Sequence, residues 1–191
     1  MPGKWVCDAF RLAAMRACLV YSIGSKGRFE FEEGVLAVRP DCEIHTFDPT
    51  SRPPMPGSSA AAAGGLHFHA VGLGARDGTL PLGGVCGEAC PVRALPALIR
   101  ELGHEAAIID LLKIDVEGSE YDALTDVLFS CQFPLNVRQI QIELHTKGFL
   151  NWNVQRLMLG LAHAGYTLFH KEANTLAGGA CYEFSFVRTL L

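Results

Sequence analysis

Two carboxylates and a glycine, Asp115, Glu117 and Gly118, follow the apolar run Leu111-Leu112-Lys113-Ile114, and Ser119-Glu120 comes directly after them. A second run, Gln139-Ile140-Gln141-Ile142-Glu143-Leu144-His145, ends on an acid and an imidazole. Carboxylates and imidazoles move protons, accept hydrogen bonds from hydroxyls and hold divalent cations. Asp115, Glu117 and His145 are therefore read either as acid–base and positioning groups or as a cation set. Earlier in the chain, Gly24-Ser25-Lys26-Gly27 and Asp48-Pro49 also stand at the ends of apolar runs. Glycine lets a backbone pass close to a ligand, N–H groups opening a helix attract an anion, and a carboxylate at a strand tip accepts sugar hydroxyls. These groups form a site only if one edge of the fold gathers them.

The elements that would do so are legible from periodicity. Residues 108–114 suit a strand buried on both faces of a parallel sheet, with Asp115 and Glu117 emerging at its carboxyl edge. Ligands of open α/β sheets bind at that edge. Two residues apart on an extended segment, the two acids share a face. Residues 19–23, the glycine cluster and residues 29–37 read as strand, turn and helix. Residues 43–47 alternate apolar and polar and end at Asp48-Pro49, as a second strand would. Residues 53–65 are rich in Pro, Ser, Ala and Gly and read as a flexible loop. Residues 67–73 are a third strand, with His67 and His69 on one face; lacking a third ligand in sequence, the pair is read as strand-edge surface.

A helix is expected over residues 92–102, opened by Pro91 and closed by Gly103. Helices over 120–129, with Ser119 as N-cap, and 154–164, ended by Gly165, flank the strand 139–145. Between strands 166–172 and 181–188 there is no room for a crossover helix, so that pair must be antiparallel. The fold class is α/β, a mostly parallel seven-stranded sheet with an antiparallel C-terminal hairpin. One domain is expected over 1–191, with a short N-terminal extension, 1–17.

At 191 residues and 49% hydrophobic content the chain can fill one core. A net charge of −4 with 16 Lys plus Arg argues against a nucleic-acid partner, which normally requires clustered excess base. No apolar run is long enough to span a bilayer. As written the chain reads as cytoplasmic, or as a protein of the secretory pathway if a targeting segment precedes it. Seven cysteines leave the redox compartment open. Cys86 and Cys90 are spaced too loosely for a zinc knuckle, so no metal is expected there. Cys18 and Cys42 each precede a strand and are either neighbours within bridging distance or two small buried apolar side chains.

Four segments taken in order, Leu19-Val20-Tyr21-Ser22-Ile23-Gly24, Glu43-Ile44-His45-Thr46-Phe47-Asp48-Pro49, Leu112-Lys113-Ile114-Asp115-Val116-Glu117-Gly118-Ser119-Glu120 and Ile140-Gln141-Ile142-Glu143-Leu144-His145, resemble the FkbM-type methyltransferases. The closing Tyr182-Glu183-Phe184-Ser185-Phe186-Val187 is similar to that group's last strand. The resemblance runs from about residue 7 to 187 and implies a Rossmann-like class I methyltransferase sandwich with S-adenosyl-L-methionine as cofactor. It further implies cofactor contacts at Ser22, Gly24, Ser25, Gly27, Asp48, Asp115 and Glu117. Methyl transfer to an oxygen of a small molecule or glycan is the activity expected, with His145 as the base, Glu143 orienting that imidazole or an acceptor, and Asp115 beside the transfer position. No metal is expected in that role. Where relatives carry an acidic pair after the first glycine this chain has Gly27-Arg28, and Glu30, Glu32 or Glu33 are the nearest substitutes, or else a solvated helix start. A catalytically silent cofactor-binding or interaction domain is the alternative, and an NAD-dependent oxidoreductase the third reading, weakened because Gly24-Ser25-Lys26-Gly27 is not G-x-G-x-x-G.

Overall fold

A computed structural model describes residues 4–8, 17–62, 64–130, 135–145, 151–175 and 181–189. Its first half runs β1 (Cys18–Ile23), α1 (Glu30–Val38), β2 (Cys42–Phe47), α2 (Ser59–Ala62), β3 (Leu66–His69), β4 (Gly72–Leu73), β5 (Gly78–Leu80) and β6 (Cys90–Arg93). The second half is α3 (Leu95–Glu101), β7 (Ile109–Ile114), α4 (Glu120–Leu128), β8 (Val137–His145), α5 (Asn151–His163), β9 (Tyr166–Ala173) and β10 (Cys181–Arg188). The main sheet has seven strands in the order β3-β2-β1-β7-β8-β10-β9. Its first five strands pair parallel, while β10 pairs antiparallel with both β8 and β9. The expected α/β class and C-terminal hairpin are what the chain forms.

Both faces of the sheet are covered, which is why β1 and β7 are buried at every position. Tyr21, Ile23, Phe47, Leu112 and Ile114 join residues of α3, α4 and α5 in the larger core, while Val20, Ile44 and Leu111 pack with Phe31, Val35 and Leu36 from α1 on the other face. Each such fully buried aliphatic side chain contributes roughly 1.5–3 kcal/mol. Register also lines up a polar row across five strands, Thr46, Ser22, Lys113, Gln141 and Ser185, all buried. That row puts Lys113 beside the end of β1.

Three local readings are corrected. Residues 92–93 are not helical: Val92 pairs with Gly72 and Gly78 in a small sheet ordered β4-β6-β5, so pairing overrides the helix-like pattern and α3 starts at Leu95 with Pro96 in its first turn. The strand expected over 67–73 divides, β3 staying in the main sheet and β4 leaving for the small one. The stretch 53–65 carries the short helix α2, whose Ala60 is buried. Cys18 and Cys42 are register partners on β1 and β2 and form a disulfide, so the reading of two separate apolar thiols gives way to a bridge. Cys86 and Cys90 form a second disulfide. Among the described residues Cys7 and Cys181 are free.

Candidate functional site

Parallel pairing of β1 with β2 and β7 brings Gly24, Asp48 and Asp115 to one edge. Gly24 has φ +83°, and a Cβ on it would stand 1.8 Å from the Asp115 carbonyl oxygen, so only glycine lets the first turn pass the end of β7. Its N–H donates to the Phe47 carbonyl at 2.9 Å, while the Asp115 N–H donates to the Ile23 carbonyl at 3.0 Å. Asp48 then shapes the loop. Its Oδ2 accepts from the backbone N–H of Ser25 (3.0 Å) and Lys26 (2.6 Å) and from the Ser25 hydroxyl (3.2 Å). Its Oδ1 accepts from the N–H (2.8 Å) and hydroxyl (2.7 Å) of Thr50. Burial works to raise the Asp48 pKa, but these donors outweigh it and hold the carboxyl below the ordinary value. Five donors fill about four lone-pair positions, so the carboxylate is already saturated by its own chain.

After β7 the chain turns sharply. Glu117 adopts φ +55°, so Asp115 and Glu117 are not on one extended segment as their spacing suggested. They nevertheless meet at the same imidazole: His145 Nε2 is 3.9 Å from Asp115 Oδ1 and 3.4 Å from Glu117 Oε2. The other face of that ring is held by Glu120, fully buried at the start of α4, whose Oε1 lies 3.1 Å from His145 Nδ1 and accepts the His145 N–H at 3.0 Å. The second Glu120 oxygen accepts the Gly118 N–H at 2.7 Å, while Ser119 makes no side-chain cap. Burial lowers the His145 pKa, yet the Glu120 hydrogen bond and charge, with Glu117 and Glu143 behind them, raise it overall.

Glu143, expected to orient that ring, instead accepts from the Asn174 amide at 2.8 Å and lies 4.0 Å from the Lys4 ammonium. Lys4 also bonds Glu183 and stands 3.7 Å from Asp115, closing an acidic wall with a single cation from the N-terminal segment. Burial pushes the Asp115 pKa up, but Lys4 and Lys113 bring it below the ordinary value. Lys113 is buried and donates to the Gly24 and Ile23 carbonyls, tying β7 to the turn after β1; burial lowers its pKa. Glu32 is buried too and accepts from the Thr46 hydroxyl at 3.1 Å, so the acidic start of α1 is not wholly solvated.

These groups surround a cavity of about 720 Å³, walled by Gly24, Ser25, Asp48, Asp115, Glu117 and His145 among others. Ser22, fully buried within β1, and Gly27, on the exposed side of the turn, do not line it. The model of a family described as a methyltransferase domain matches residues 2–188. The chain belongs to this methyltransferase-domain family. Its methyl donor is S-adenosylmethionine. Of solved structures, the fibrillarin pre-rRNA processing protein of Methanococcus jannaschii superposes with a TM-score of 0.58 at 8% identity, covering 97% of this chain and 70% of that one, which shows a shared fold. Precorrin-6y C5,15-methyltransferase of Geobacter metallireducens gives a TM-score of 0.49 at 12% identity, over 95% and 86% of the two chains. Among curated proteins none matches.

The methyltransferase cavity fits the donor on its own chemistry. Its volume is that of a typical ligand pocket. The Gly24 turn has no room for a Cβ, and an acid ends β2 beside it. The residues that sequence reasoning left out of the site are Glu120, read as an ordinary helix start, together with Lys4 and Lys113. Glu120 stands six places beyond the end of β7 and carries no local sign of its partner; the fold alone brings it to His145.

Proposed function

We propose that this domain transfers the methyl group of S-adenosylmethionine to a hydroxyl of a small molecule or glycan, and that it is an FkbM-type enzyme acting as one domain over 1–191. The observation that carries the reading is the His145–Glu120 pair: one ring nitrogen is held by a buried carboxylate at 3.1 Å and the other is turned toward Asp115 and Glu117 at the cavity wall. In the proposed complex Gly24 and Ser25 approach the donor's methionyl end. Asp48 would hold the ribose hydroxyls in place of those of Ser25 and Thr50. The donor supplies an electrophilic methyl group with a good leaving group, so what remains for the protein is orientation and removal of one proton. Asp115 and Glu117 line the transfer position, and His145 Nε2 takes the hydroxyl proton as Glu120 stabilises the imidazolium that results.

The charge of the wall supports a neutral acceptor over a polyanion. Asp115, Glu117, Glu143 and Glu183 converge where Lys4, Lys26 and Lys113 are the nearby cations, so acids outnumber bases along that wall and disfavour a phosphate backbone. Two disulfides favour an oxidising compartment, so the secretory pathway is the proposed setting rather than the cytoplasm. Among the described residues no helix is long and apolar enough to cross a membrane.

Calorimetry with S-adenosylmethionine and with NAD, followed by methyl incorporation into panels of phenols, sugars, glycans and RNA, tests the proposal. Donor binding with incorporation into hydroxyl acceptors is expected. NAD binding alone, no binding of either, or incorporation only into RNA would each overturn it.

A further inference from the structure

Outside the cavity lining, the sheet face that carries α3 gathers four histidines and an acid that methyl transfer does not use. Tyr21, His45 and His67 are register partners on β1, β2 and β3 and so stand in one row. His69 lies two residues further along β3, and His104 arrives from the turn after α3. None of these residues lines the cofactor cavity. His45 is the hub. Its ring centroid lies 5.0 Å from that of His67, 5.2 Å from His69 and 5.2 Å from His104.

The donor atoms sort into an inner and an outer group. In the inner group His45 Nε2 is 3.0 Å from Glu43 Oε1, and His67 Nε2 is 4.0 Å from the same oxygen. One ligand atom each from Glu43, His45 and His104 lies within 4.8 Å of the others. In the outer group His45 Nδ1 meets His69 Nε2 at 2.9 Å, and His104 Nδ1 meets the Tyr21 hydroxyl at 2.9 Å. Two rings are thus each fixed through Nδ1, which presents Nε2 as the remaining ligand atom. That is how metal-bound histidines are oriented, the second nitrogen being tied to a neighbouring polar group.

We propose that Glu43, His45 and His104, with His67 as fourth donor, form a binding site for a divalent transition metal of the zinc class. Imidazole with one carboxylate suits zinc, whose tetrahedral ligand atoms stand about 3.3 Å apart. The Glu43–His45 distance already matches, the His104 atom needs to close by at most about 1.5 Å, and His67 Nε2 stands 4.0 Å from Glu43 Oε1. Glu43 and His67 have half-exposed side chains free to make that adjustment. A metal there ties the turn after α3 and the edge strand β3 to β2. The site stands independently of the methyl-transfer reading.

Titration of the metal-free full chain, without reductant, with Zn²⁺ by calorimetry and with Co²⁺ by visible absorption tests the proposal. One equivalent and the spectrum of tetrahedral Co²⁺ are expected. Glu43→Gln and His104→Ala should each weaken binding by more than about tenfold with circular dichroism and S-adenosylmethionine affinity unchanged. Glu43→Gln changes an exposed side chain and decides the matter even if His104→Ala fails to fold. Absence of a stoichiometric metal overturns the proposal. So does an equivalent that survives Glu43→Gln but is lost in Cys181→Ala, because the metal would then belong to Glu143, His145 and Cys181, whose ligand atoms also lie within 4.8 Å of one another.

Discussion

His145 carries opposite consequences for activity and for stability. Glu120 raises its pKa in the folded state, against the lowering effect of burial, so the proton leaves above the ordinary imidazole value of about 6.5. A base must be neutral to act. The kcat–pH profile should therefore rise along a limb centred above that value, and Glu120→Gln should move the limb downward because burial is then opposed only by Glu117 and Glu143; a limb that stays in place would sink the assignment. Stability runs the other way: a folded pKa raised above the unfolded one contributes fully below about pH 6.5 and is lost as pH rises through the folded value. His145→Ala should lower kcat by about 10²–10⁴-fold at unchanged donor affinity, measured by single-turnover kinetics and calorimetry. The sequence exposed Gly24, Asp48, Asp115 and His145 because each ends an apolar run, a local sign. It hid that Glu120 rather than Glu143 holds the imidazole, since which acid meets an imidazole depends on helix packing over the sheet.

At the scale of elements, the cleft depends on two turns that touch. The turn after β1 passes so close to the end of β7 that Gly24→Ala would drive a methyl group into the Asp115 carbonyl, in a backbone conformation side chains rarely adopt. Such a change should cost about 2–4 kcal/mol and abolish donor binding. Gly34 in α1 has nothing within 4 Å of a Cβ position, and Gly34→Ala should stabilise the chain by about 0.5–1 kcal/mol. Urea midpoints of the two variants, compared with wild type, separate a position that needs glycine from one that merely has it. A shared sign would refute the close approach. The helix expected over 92–102 failed at its start for a reason of this scale: Val92 is claimed by pairing with β4 and β5, which no local pattern announces.

Taken whole, the molecule is stapled once beside the cleft and once at the opposite, amino-terminal edge of β1 and β2. The Cys18–Cys42 bridge spans 24 residues of chain and ties β1 to β2 under the α1 face. Loop-closure entropy for a loop of that size is worth about 3 kcal/mol, so the Cys18→Ala, Cys42→Ala double variant should lose stability of that order by urea unfolding. The Cys86–Cys90 loop lies against residue 50, where the Val85 N–H donates to the Thr50 carbonyl at 3.0 Å. A thiol reductant should thus lower the melting temperature and weaken donor affinity together; unchanged melting would show that neither bridge matters to the fold.

By itself the sequence determined the sheet's strands, their mostly parallel order, the antiparallel ending and the chemical types at the strand tips. Those follow from hydrophobic period, glycine and connection length, which act over a few residues. Only the tertiary structure decided that Glu120 holds His145, that Lys4 enters the acidic wall, that Cys18 bonds Cys42, and that His67 and His69 join His45, Glu43 and His104. Each of these is a pairing between distant segments. Register and packing choose such partners, and residue spacing along the chain does not encode them.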